Sequence, residues 1–301
     1  RYRLTRPHPL PDFRTDLSRW QQLVTPRWLH HLQHGDMVRA APPGRWLVLE
    51  VGCGTADAFA QSHIPGAAYL DTRALEEVPF WNKVPDAALL QVLLSAGITH
   101  NCTVIVYGRS LLAAARAAHL MLYAGVRDVR LLDGGWQAWA RAELPRAAGA
   151  FIPCAPATEF GAPYPGCAQY LINLPQAQAL HARAGTALVS IRTLDEFVGK
   201  TSGYSYISAS GDIPGALWGH AGRNGDVNDM CDFLRPDGTL RPAANICALW
   251  QSEGIHPGLE LSFYCGTGWR ASLAFICAWL MAWEQISVFD GGWFEWSQPG
   301  A

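Results

Sequence analysis

The sequence predicts an α/β protein with two similar domains in tandem, each a mostly parallel sheet flanked by helices. The chain has 301 residues, which is too long for one ordinary core and long enough for two. Two short motifs each occur twice, in the same order. In both halves, short apolar runs typical of buried strands alternate with longer apolar runs typical of helices. These three observations indicate a duplicated α/β domain.

The duplication is visible in the two repeated motifs. Ile-Pro-Gly-Ala begins at Ile64 and again at Ile213, an offset of 149 residues (213 minus 64). Asp-Gly-Gly-Trp begins at Asp133 and again at Asp290, an offset of 157 residues (290 minus 133). Each copy has the size of an ordinary domain, which favours two domains over a solenoid of short repeats.

Each copy contains the same elements in the same order. Buried strands are expected at 46–50, 104–107 and 130–132 in the first copy and at 187–191, 261–264 and 287–289 in the second. Each Ile-Pro-Gly-Ala segment is expected to turn into a further strand, because proline and glycine disfavour a helix there. Apolar helices are expected at 113–124 and 271–282.

Composition suggests where the domains begin and end. We expect a lead-in at 1–45, rich in Trp, His and Pro, and a first domain at 46–145. Residues 146–184 include a proline-rich stretch with little periodicity, and they are expected to form a linker and a second lead-in. The second domain is expected at 185–301.

Charge and hydropathy exclude two classes of partner. The formal net charge is −2, so there is no basic surplus of the kind that binds nucleic acid. No uninterrupted apolar run approaches the roughly 20 residues that a membrane-spanning helix needs. We therefore expect neither a nucleic-acid partner nor a membrane span.

The cysteines, histidines and aspartates give no sign of a metal. No two of the eight cysteines stand in a Cys-x-x-Cys arrangement, and the ten histidines show no ligand spacing. Most of the cysteines are expected to be buried thiols. Four aspartates crowd one segment without the spacing of an EF-hand, so a solvated loop is expected there. They are Asp226, Asp229, Asp232 and Asp237.

One cysteine stands at a chemically distinctive junction. The expected strand at 261–264 runs directly into a short loop that reads Cys265, Gly266, Thr267, Gly268, Trp269 and Arg270, and an apolar helix follows. A helix N-terminus offers unpaired N–H groups and a partial positive charge, so Cys265 is expected to be held more as the nucleophilic thiolate. Gly266 and Gly268 are expected to let the loop curl so that its N–H groups turn inward, and Arg270 adds positive charge.

This loop resembles the active-site loop of the rhodanese superfamily, in which a cysteine carries sulfane sulfur as a persulfide cradled by backbone N–H groups. The repeated Ile-Pro-Gly-Ala and Asp-Gly-Gly-Trp motifs match the same family. The resemblance covers about 45–145 and 185–298 and is especially close to bacterial multi-domain thiosulfate sulfurtransferases. It therefore implies two tandem rhodanese-like domains.

The resemblance also implies roles for particular residues. Cys265 would be the catalytic residue, and residues 266–270 would form the persulfide cradle. Arg192 and Arg270 would bind a small anionic sulfur donor such as thiosulfate or mercaptopyruvate, although an ion pair with Asp195 or Glu196 is an equal alternative for Arg192. The acceptor would be a thiol, cyanide or a protein, and no metal or organic cofactor is implied.

Two departures from the family patterns affect the donor and the first domain. Thiosulfate-specific loops carry basic residues where this chain has Gly266 and Thr267. Mercaptopyruvate-type loops have other residues where this chain has Trp269 and Arg270. The donor therefore stays open between thiosulfate and mercaptopyruvate. At the offset of 157 residues, the counterpart of Cys265 is Gly108 (265 minus 157). The first domain is therefore expected to be inactive.

The beginning of the chain bears on its compartment. The sequence starts at Arg1 rather than at methionine, so we expect that a signal peptide or an upstream domain has been removed. The compartment stays open between the bacterial cytoplasm and the periplasm.

Three other functions compete with a sulfurtransferase. Related phosphatases place five residues between cysteine and arginine, and here four intervene, which is too short a loop for a phosphate. The segment from Val48 through Ala56 resembles a methyltransferase glycine motif, but Ile64-Pro65-Gly66 interrupts the long helix that should follow. A non-enzymatic sulfur-relay or docking protein would use the same cysteine.

His220, with Gly219 and Arg223, is a further candidate for the rim of the site.

Overall fold

In the computed structural model, which describes residues 13–301, two five-stranded sheets lie in two α/β domains. The strands of the first domain are β1 (Leu23–Val24), β2 (Trp46–Gly52), β3 (Ala68–Asp71), β4 (Glu76–Glu77), β5 (Asn82–Lys83), β6 (Thr103–Tyr107) and β7 (Asp128–Leu132). Its helices are α1 (Pro26–Gln33), α2 (Asp57–Gln61), α3 (Asp86–Ser95), α4 (Leu111–Ala124) and α5 (Gly135–Arg141). The sheet order is β1-β7-β6-β2-β3 with parallel neighbours, while β4 and β5 form a separate antiparallel hairpin.

The second domain repeats this plan. Its strands are β8 (Leu171–Ile172), β9 (Thr186–Ser190), β10 (Leu217–Trp218), β11 (Glu260–Tyr264) and β12 (Ile286–Phe289). Its helices are α6 (Leu174–His181), α7 (Leu194–Phe197), α8 (Ala243–Gln251), α9 (Trp269–Leu280) and α10 (Gly292–Trp296). The sheet order is β10-β9-β11-β12-β8, again with parallel neighbours. Short 3₁₀ turns at Trp20–Gln22, Thr72–Ala74 and Ala168–Tyr170 complete the chain. The predicted α/β fold class is confirmed.

Buried apolar runs account for the central strands. All five residues of β6 are buried, as are four of the five in β11, because helices cover both faces of each parallel sheet. Parallel strands end at one edge of the sheet, and loops at that edge commonly bind ligands. The segment after β11 lies at such an edge.

The domains begin earlier than the sequence indicates. The expected lead-in at 1–45 contains β1, which pairs with β7 at the edge of the first sheet, whereas its residues 1–12 lie outside the described part of the chain. The expected linker at 146–184 contains β8, which pairs with β12, and α6. Each segment therefore supplies a two-residue edge strand to a domain, and the segment 146–184 also connects the two domains.

Two apolar helices form the centre of the domain interface. α4 and α9 are buried along nearly their whole length and pack against each other, so one apolar core runs through both domains. Each helix follows the loop at the end of a central strand. The loop at the end of β11 is therefore held against the other domain.

The interface contacts are reciprocal. Asp133 accepts a hydrogen bond from the N–H of Leu240 at 2.9 Å, and Asp290 accepts one from the N–H of Lys83 at 2.6 Å. Both pairs of positions differ by the repeat offset of 157 residues (290 minus 133, and 240 minus 83). The two domains are therefore related by an approximate two-fold axis, and the aspartate of each Asp-Gly-Gly-Trp motif binds the opposite domain.

Candidate active site

Cys265 lies between β11 and α9, at the carboxyl edge of the second sheet. Cys265 is 1% exposed, so its sulfur is shielded from bulk water. The loop carbonyls turn toward the N-terminus of α10. The N–H of Trp293 donates to the Cys265 carbonyl at 2.8 Å, and the N–H of Phe294 donates to the Gly266 carbonyl at 3.0 Å.

A close approach at Gly292 fixes this orientation. Its φ is +59°, and a Cβ at that position would stand 2.4 Å from the Cys265 carbonyl oxygen and 2.9 Å from that of Thr267. The carbonyl side of the loop is thus closed by α10. Among residues 13–301, the N–H groups of residues 266–270 have no acceptor. Five free N–H donors in one loop form a site for an anionic atom.

The loop glycines make room for side chains. A Cβ at Gly266 would stand 2.0 Å from a ring carbon of Tyr204, and a Cβ at Gly268 would stand 2.9 Å from a guanidinium nitrogen of Arg116. Neither glycine has a left-handed φ. The expected reason for these glycines, freedom to curl, is therefore wrong, and the loop is instead packed between an aromatic ring and a cation.

Arg270 is engaged inside the protein. Its two terminal nitrogens donate to the two carboxylate oxygens of Glu196 at 2.8 and 3.0 Å, and one also donates to the Tyr204 hydroxyl at 2.7 Å. Burial acts to raise the pKa of Glu196, but the bonds and charge of Arg270 lower it overall. This bidentate pair holds the start of α9, and within the described residues only Nε of the Arg270 guanidinium has no hydrogen-bond partner.

Arg192 belongs to the same buried cluster. It bonds Glu196 at 3.1 Å, donates to the carbonyls of Gly211 at 2.6 Å and Ser202 at 3.0 Å, and lies 3.3 Å from Asp212. It is fully buried. The geometry favours the ion pair with Glu196 over donor binding.

A cavity of about 380 Å³ lies beside the loop, between the domains. Its walls combine four aromatic side chains with polar groups from both domains. They are Cys53, Thr72, Arg73, Glu76, Trp81, Tyr204, Tyr206, Val227, Asn228, Thr267, Trp269 and Arg270. The Trp269 indole N–H donates to Glu76 at 2.6 Å, which fixes this loop side chain against the first domain. Trp81 has a φ of +59°, an uncommon conformation for a large side chain.

The first domain has the same frame without the nucleophile. The Gly108 carbonyl accepts from the N–H of Trp136 at 3.1 Å, as the Cys265 carbonyl accepts from that of Trp293. A Cβ at Gly108 would stand 2.7 Å from the backbone oxygens of both Val51 and Ser110. The position therefore lacks both a thiol and the space for one.

Comparison with known proteins identifies the family. The model of the rhodanese-like domain matches residues 36–142 and 173–299. The chain belongs to the rhodanese-like domain family. The predicted membership of this family is thereby confirmed, with one match in each half of the chain.

Among relatives of this rhodanese-like chain is the thiosulfate sulfurtransferase YnjE of Escherichia coli strain K12. It is 51% identical over 281 residues, and the match covers 93% of this chain and 64% of the relative. The chain thus spans less than two thirds of that protein. The crystal structure of YnjE superimposes with a TM-score of 0.92 and covers 94% of this chain and 68% of that one, at 50% identity.

Two further relatives carry different names. The anaerobic ergothioneine biosynthesis enzyme of Chlorobium limicola, solved in complex with its natural substrate trimethyl histidine, has a TM-score of 0.90 at 36% identity. The match covers 94% of this chain and 70% of that one. The sulfur carrier protein TtuD of Thermus thermophilus is 27% identical over 79% of this chain and 83% of its own length.

Sequence reasoning missed the partners of the rhodanese-like loop. Glu196, Tyr204, Glu76 and Arg116 approach it from distant segments, and only Glu196 was considered, as a partner of Arg192. A signal for Arg116 was present, because it is a lone arginine inside the apolar helix α4. A fully buried arginine needs partners, and here one of them, Asp290, lies across the interface.

The remaining candidates lie elsewhere. His220 is 3.1 Å from Glu253 and 3.6 Å from Asp232, which also binds Arg223, so neither His220 nor Arg223 lines the cavity. Within the described residues, no group of His, Cys, Asp and Glu side chains is arranged to hold a metal. All eight cysteines lie in this part of the chain and are free thiols.

The helices also bear on membrane insertion. Across residues 13–301, none is both long and apolar enough to cross a bilayer.

Proposed function

We propose that this rhodanese-like chain is a sulfurtransferase that works through a Cys265 persulfide. The donor is a small anion such as thiosulfate or mercaptopyruvate, and the acceptor is a thiol, cyanide or a protein. The free N–H groups of residues 266–270, gathered in the loop of one buried cysteine, carry the proposal. The thiosulfate sulfurtransferase name of the relative YnjE supports it.

The reaction consists of two displacements at sulfur. With thiosulfate, the Cys265 thiolate attacks the outer sulfur, a new S–S bond forms, and sulfite leaves with the electron pair of the broken S–S bond. An acceptor such as cyanide then attacks the outer persulfide sulfur, forms a C–S bond and releases the Cys265 thiolate. Neither displacement requires a metal or an organic cofactor.

The loop stabilises the charged states of this cycle. N–H donors that are fixed before the reaction stabilise negative charge without reorganising, first on the thiolate and then on the outer sulfur. The carbonyl contacts with Trp293 and Phe294 hold the N–H groups in place. Arg270 acts as a clamp through Glu196, so it positions the loop while the N–H groups contact the sulfur.

A mass measurement tests the persulfide directly. Exposure to thiosulfate should add one sulfur, ~32 Da, to the intact protein, and cyanide should remove it. Cys265→Ser should abolish the addition while the protein remains folded. The matched control is Cys167→Ser. Cys167 is a half-buried free thiol that lies in the sequence between the two matched domain ranges. Sulfur uptake by folded Cys265→Ser would refute the assignment.

A sulfur-relay function shares the same intermediate. The relative named as a sulfur carrier is consistent with a protein acceptor. However, Cys265 is almost fully buried, and the nearby cavity of about 380 Å³ has the size of a small-molecule site. Repeated turnover with thiosulfate and cyanide is therefore expected, whereas a relay protein would take up one sulfur and release it only to its partner.

A second candidate acceptor is a trimethylated histidine. The aromatic walls of the cavity favour it, because rings such as Trp81, Tyr206 and Trp269 attract quaternary ammonium groups. A relative was solved with trimethyl histidine. The outer persulfide sulfur would replace a ring hydrogen, which moves to regenerate the Cys265 thiol.

Incubation of the persulfidated protein with trimethylhistidine tests this acceptor. The small molecule should gain one sulfur, ~32 Da, as the protein loses it. If cyanide removes the sulfur from the protein but trimethylhistidine does not, this candidate is wrong and the general sulfurtransferase proposal stands.

A further inference from the structure

Arg116 is a charged residue of the first domain that reaches the loop of the second. It lies in the middle of α4, a helix whose other side chains are nearly all apolar, and it is fully buried. α4 packs directly on α9, the helix that follows the Cys265 loop. The arginine therefore points into the domain interface.

The guanidinium of Arg116 lies against the active loop. A Cβ at Gly268 would stand 2.9 Å from Nη1 and 3.1 Å from Cζ of Arg116. The φ of Gly268 is −142°, which other residues also adopt, so its backbone conformation does not demand glycine. Glycine at this position is thus explained by the room that Arg116 occupies.

The bonds of Arg116 leave part of its donor capacity free. Nη2 donates to Asp290 at 2.7 Å and to the Trp81 carbonyl at 3.3 Å, and Nε lies 3.7 Å from Glu76. Nε and Nη1 are buried without a hydrogen-bond partner in the described part of the chain. Nη1 is the atom nearest to the Gly268 position. Unpaired buried N–H groups are costly, and they call for an acceptor.

The two domains are not equivalent at this point. β6 begins at Thr103 and β11 at Glu260, which is again the repeat offset of 157 residues (260 minus 103). The counterpart of Arg116 in α9 is therefore Leu273 (116 plus 157). The loop that contains the cysteine faces an arginine from the opposite domain, whereas the loop that contains glycine has no such cation.

We propose that Arg116 is a positioning residue for sulfur transfer, supplied by the domain without a nucleophile. Its guanidinium places a positive charge on the interdomain side of the loop and holds the anionic sulfur of Cys265 in the cradle. The inference rests on the proposed function and gives the first domain a part in it. The contacts with Asp290 and Trp81 use only Nη2 of Arg116, so Nε and Nη1 stay unpaired beside the loop within the described residues.

Other charged and titratable groups also face the sulfur. Arg270 in α9 is paired with Glu196, and the phenols of Tyr204 and Tyr206 line the cavity. Asp290 and Glu76 lie next to Arg116, at 2.7 and 3.7 Å. Burial acts to lower the pKa of Arg116, but Asp290, Glu76 and, more weakly, Cys265 raise it overall, so it stays charged.

Three variants separate a charge effect from a structural one. Arg116→Met removes the charge and keeps much of the volume, whereas Arg116→Lys keeps a charge without the planar fork. Arg130→Met is the matched control, because Arg130 is also buried in the first domain, paired with Asp128 at 2.9 Å. All three are expected to lose stability, so stability alone does not decide.

The deciding readout is the pH dependence of thiolate formation, followed by ultraviolet absorbance with Cys265→Ser in each background as the blank. Arg116→Met should move the profile about one pH unit upward, which corresponds to a tenfold change in the equilibrium between thiol and thiolate. Arg116→Lys should recover part of this shift, and Arg130→Met should leave the profile unchanged. An unmoved profile in folded Arg116→Met would overturn the proposal.

A second perturbation covers the case in which Arg116→Met fails to fold. Gly268→Ala leaves the arginine in place but pushes its guanidinium away from the loop, and it should move the profile in the same direction. An unmoved profile in folded Gly268→Ala would likewise overturn the proposal. The titration needs no sulfur donor, so a parent protein that takes up no sulfur would refute the proposed function while the role of Arg116 is still decided.

Discussion

Replacing Glu196 with glutamine should destabilise the second domain strongly. Glu196 is 1% exposed and is the shared partner of Arg192 and Arg270. Glutamine has nearly the same shape but carries no charge and has one acceptor oxygen. Arg192 would keep Asp212 at 3.3 Å, whereas Arg270 would keep no carboxylate partner among the described residues.

The size of the effect follows from the burial of this cluster. Breaking a buried ion pair by removing one partner costs about 3–5 kcal/mol, because a charge is left uncompensated. For domains of this size, 1 kcal/mol shifts the melting temperature by about 2–4 °C. Glu196→Gln should therefore lower Tm by about 6–20 °C.

Thermal unfolding followed by circular dichroism measures this shift. Glu260→Gln is the control, because Glu260 forms an exposed pair with Arg183 at 3.1 Å, and such pairs contribute about 0–1 kcal/mol. If Glu196→Gln melts within about 2 °C of the parent, the cluster contributes little and the clamp role of Arg270 is wrong.

The same carboxylate sets a pH dependence. Burial acts to raise the pKa of Glu196, yet Arg270 and Arg192 lower it below the usual range. Its contribution to stability is therefore complete above the ordinary glutamate pKa of about 4.3 and is lost as the pH falls through the lower, folded value. Glu196→Gln should remove part of this acid-side loss.

Three further substitutions test the loop and its counterpart. Gly266→Ala would place a Cβ 2.0 Å from the Tyr204 ring, so sulfur uptake by mass should fall at least about tenfold, with a stability loss of about 1–3 kcal/mol. Gly108→Cys, combined with Cys265→Ser, should take up no sulfur and should melt below Cys265→Ser alone; uptake would show that the first loop can act. Trp269→Phe removes the hydrogen bond from the indole N–H to Glu76 at 2.6 Å, so the free energy of unfolding in urea should fall by about 1 kcal/mol. An unchanged free energy of unfolding would show that this bond does not stabilise the protein.

The central part of the fold was predictable because it depends on local pattern. β6 and β11 are continuous apolar runs, and α4 and α9 are apolar helices that follow them. The edge strands β1 and β8 were not predictable, since each has two residues and pairs only through contacts more than 100 residues away in the chain. Their segments have irregular composition, so no periodicity marks them.

The site divides in a similar way. Cys265 was predictable because a strand end, a glycine loop and a helix start coincide in one short segment. The roles of Arg192 and Arg270 were not, since the carboxylate of Glu196 reaches both only in the folded domain. Arg270 was predicted to bind the donor, whereas the structure places it 1% exposed and paired with Glu196.

The reciprocal bonds of Asp133 and Asp290 bear on how such a chain could arise. Two identical copies of an ancestral domain, meeting in an isologous dimer, would form the same bond twice. Joining the copies in one polypeptide preserves the contact but lifts the requirement that both halves stay identical. One half is then free to have Gly108 where the other has Cys265, and its helix is free to carry Arg116 toward the neighbouring loop. The half without this cysteine is in this sense a permanently attached subunit.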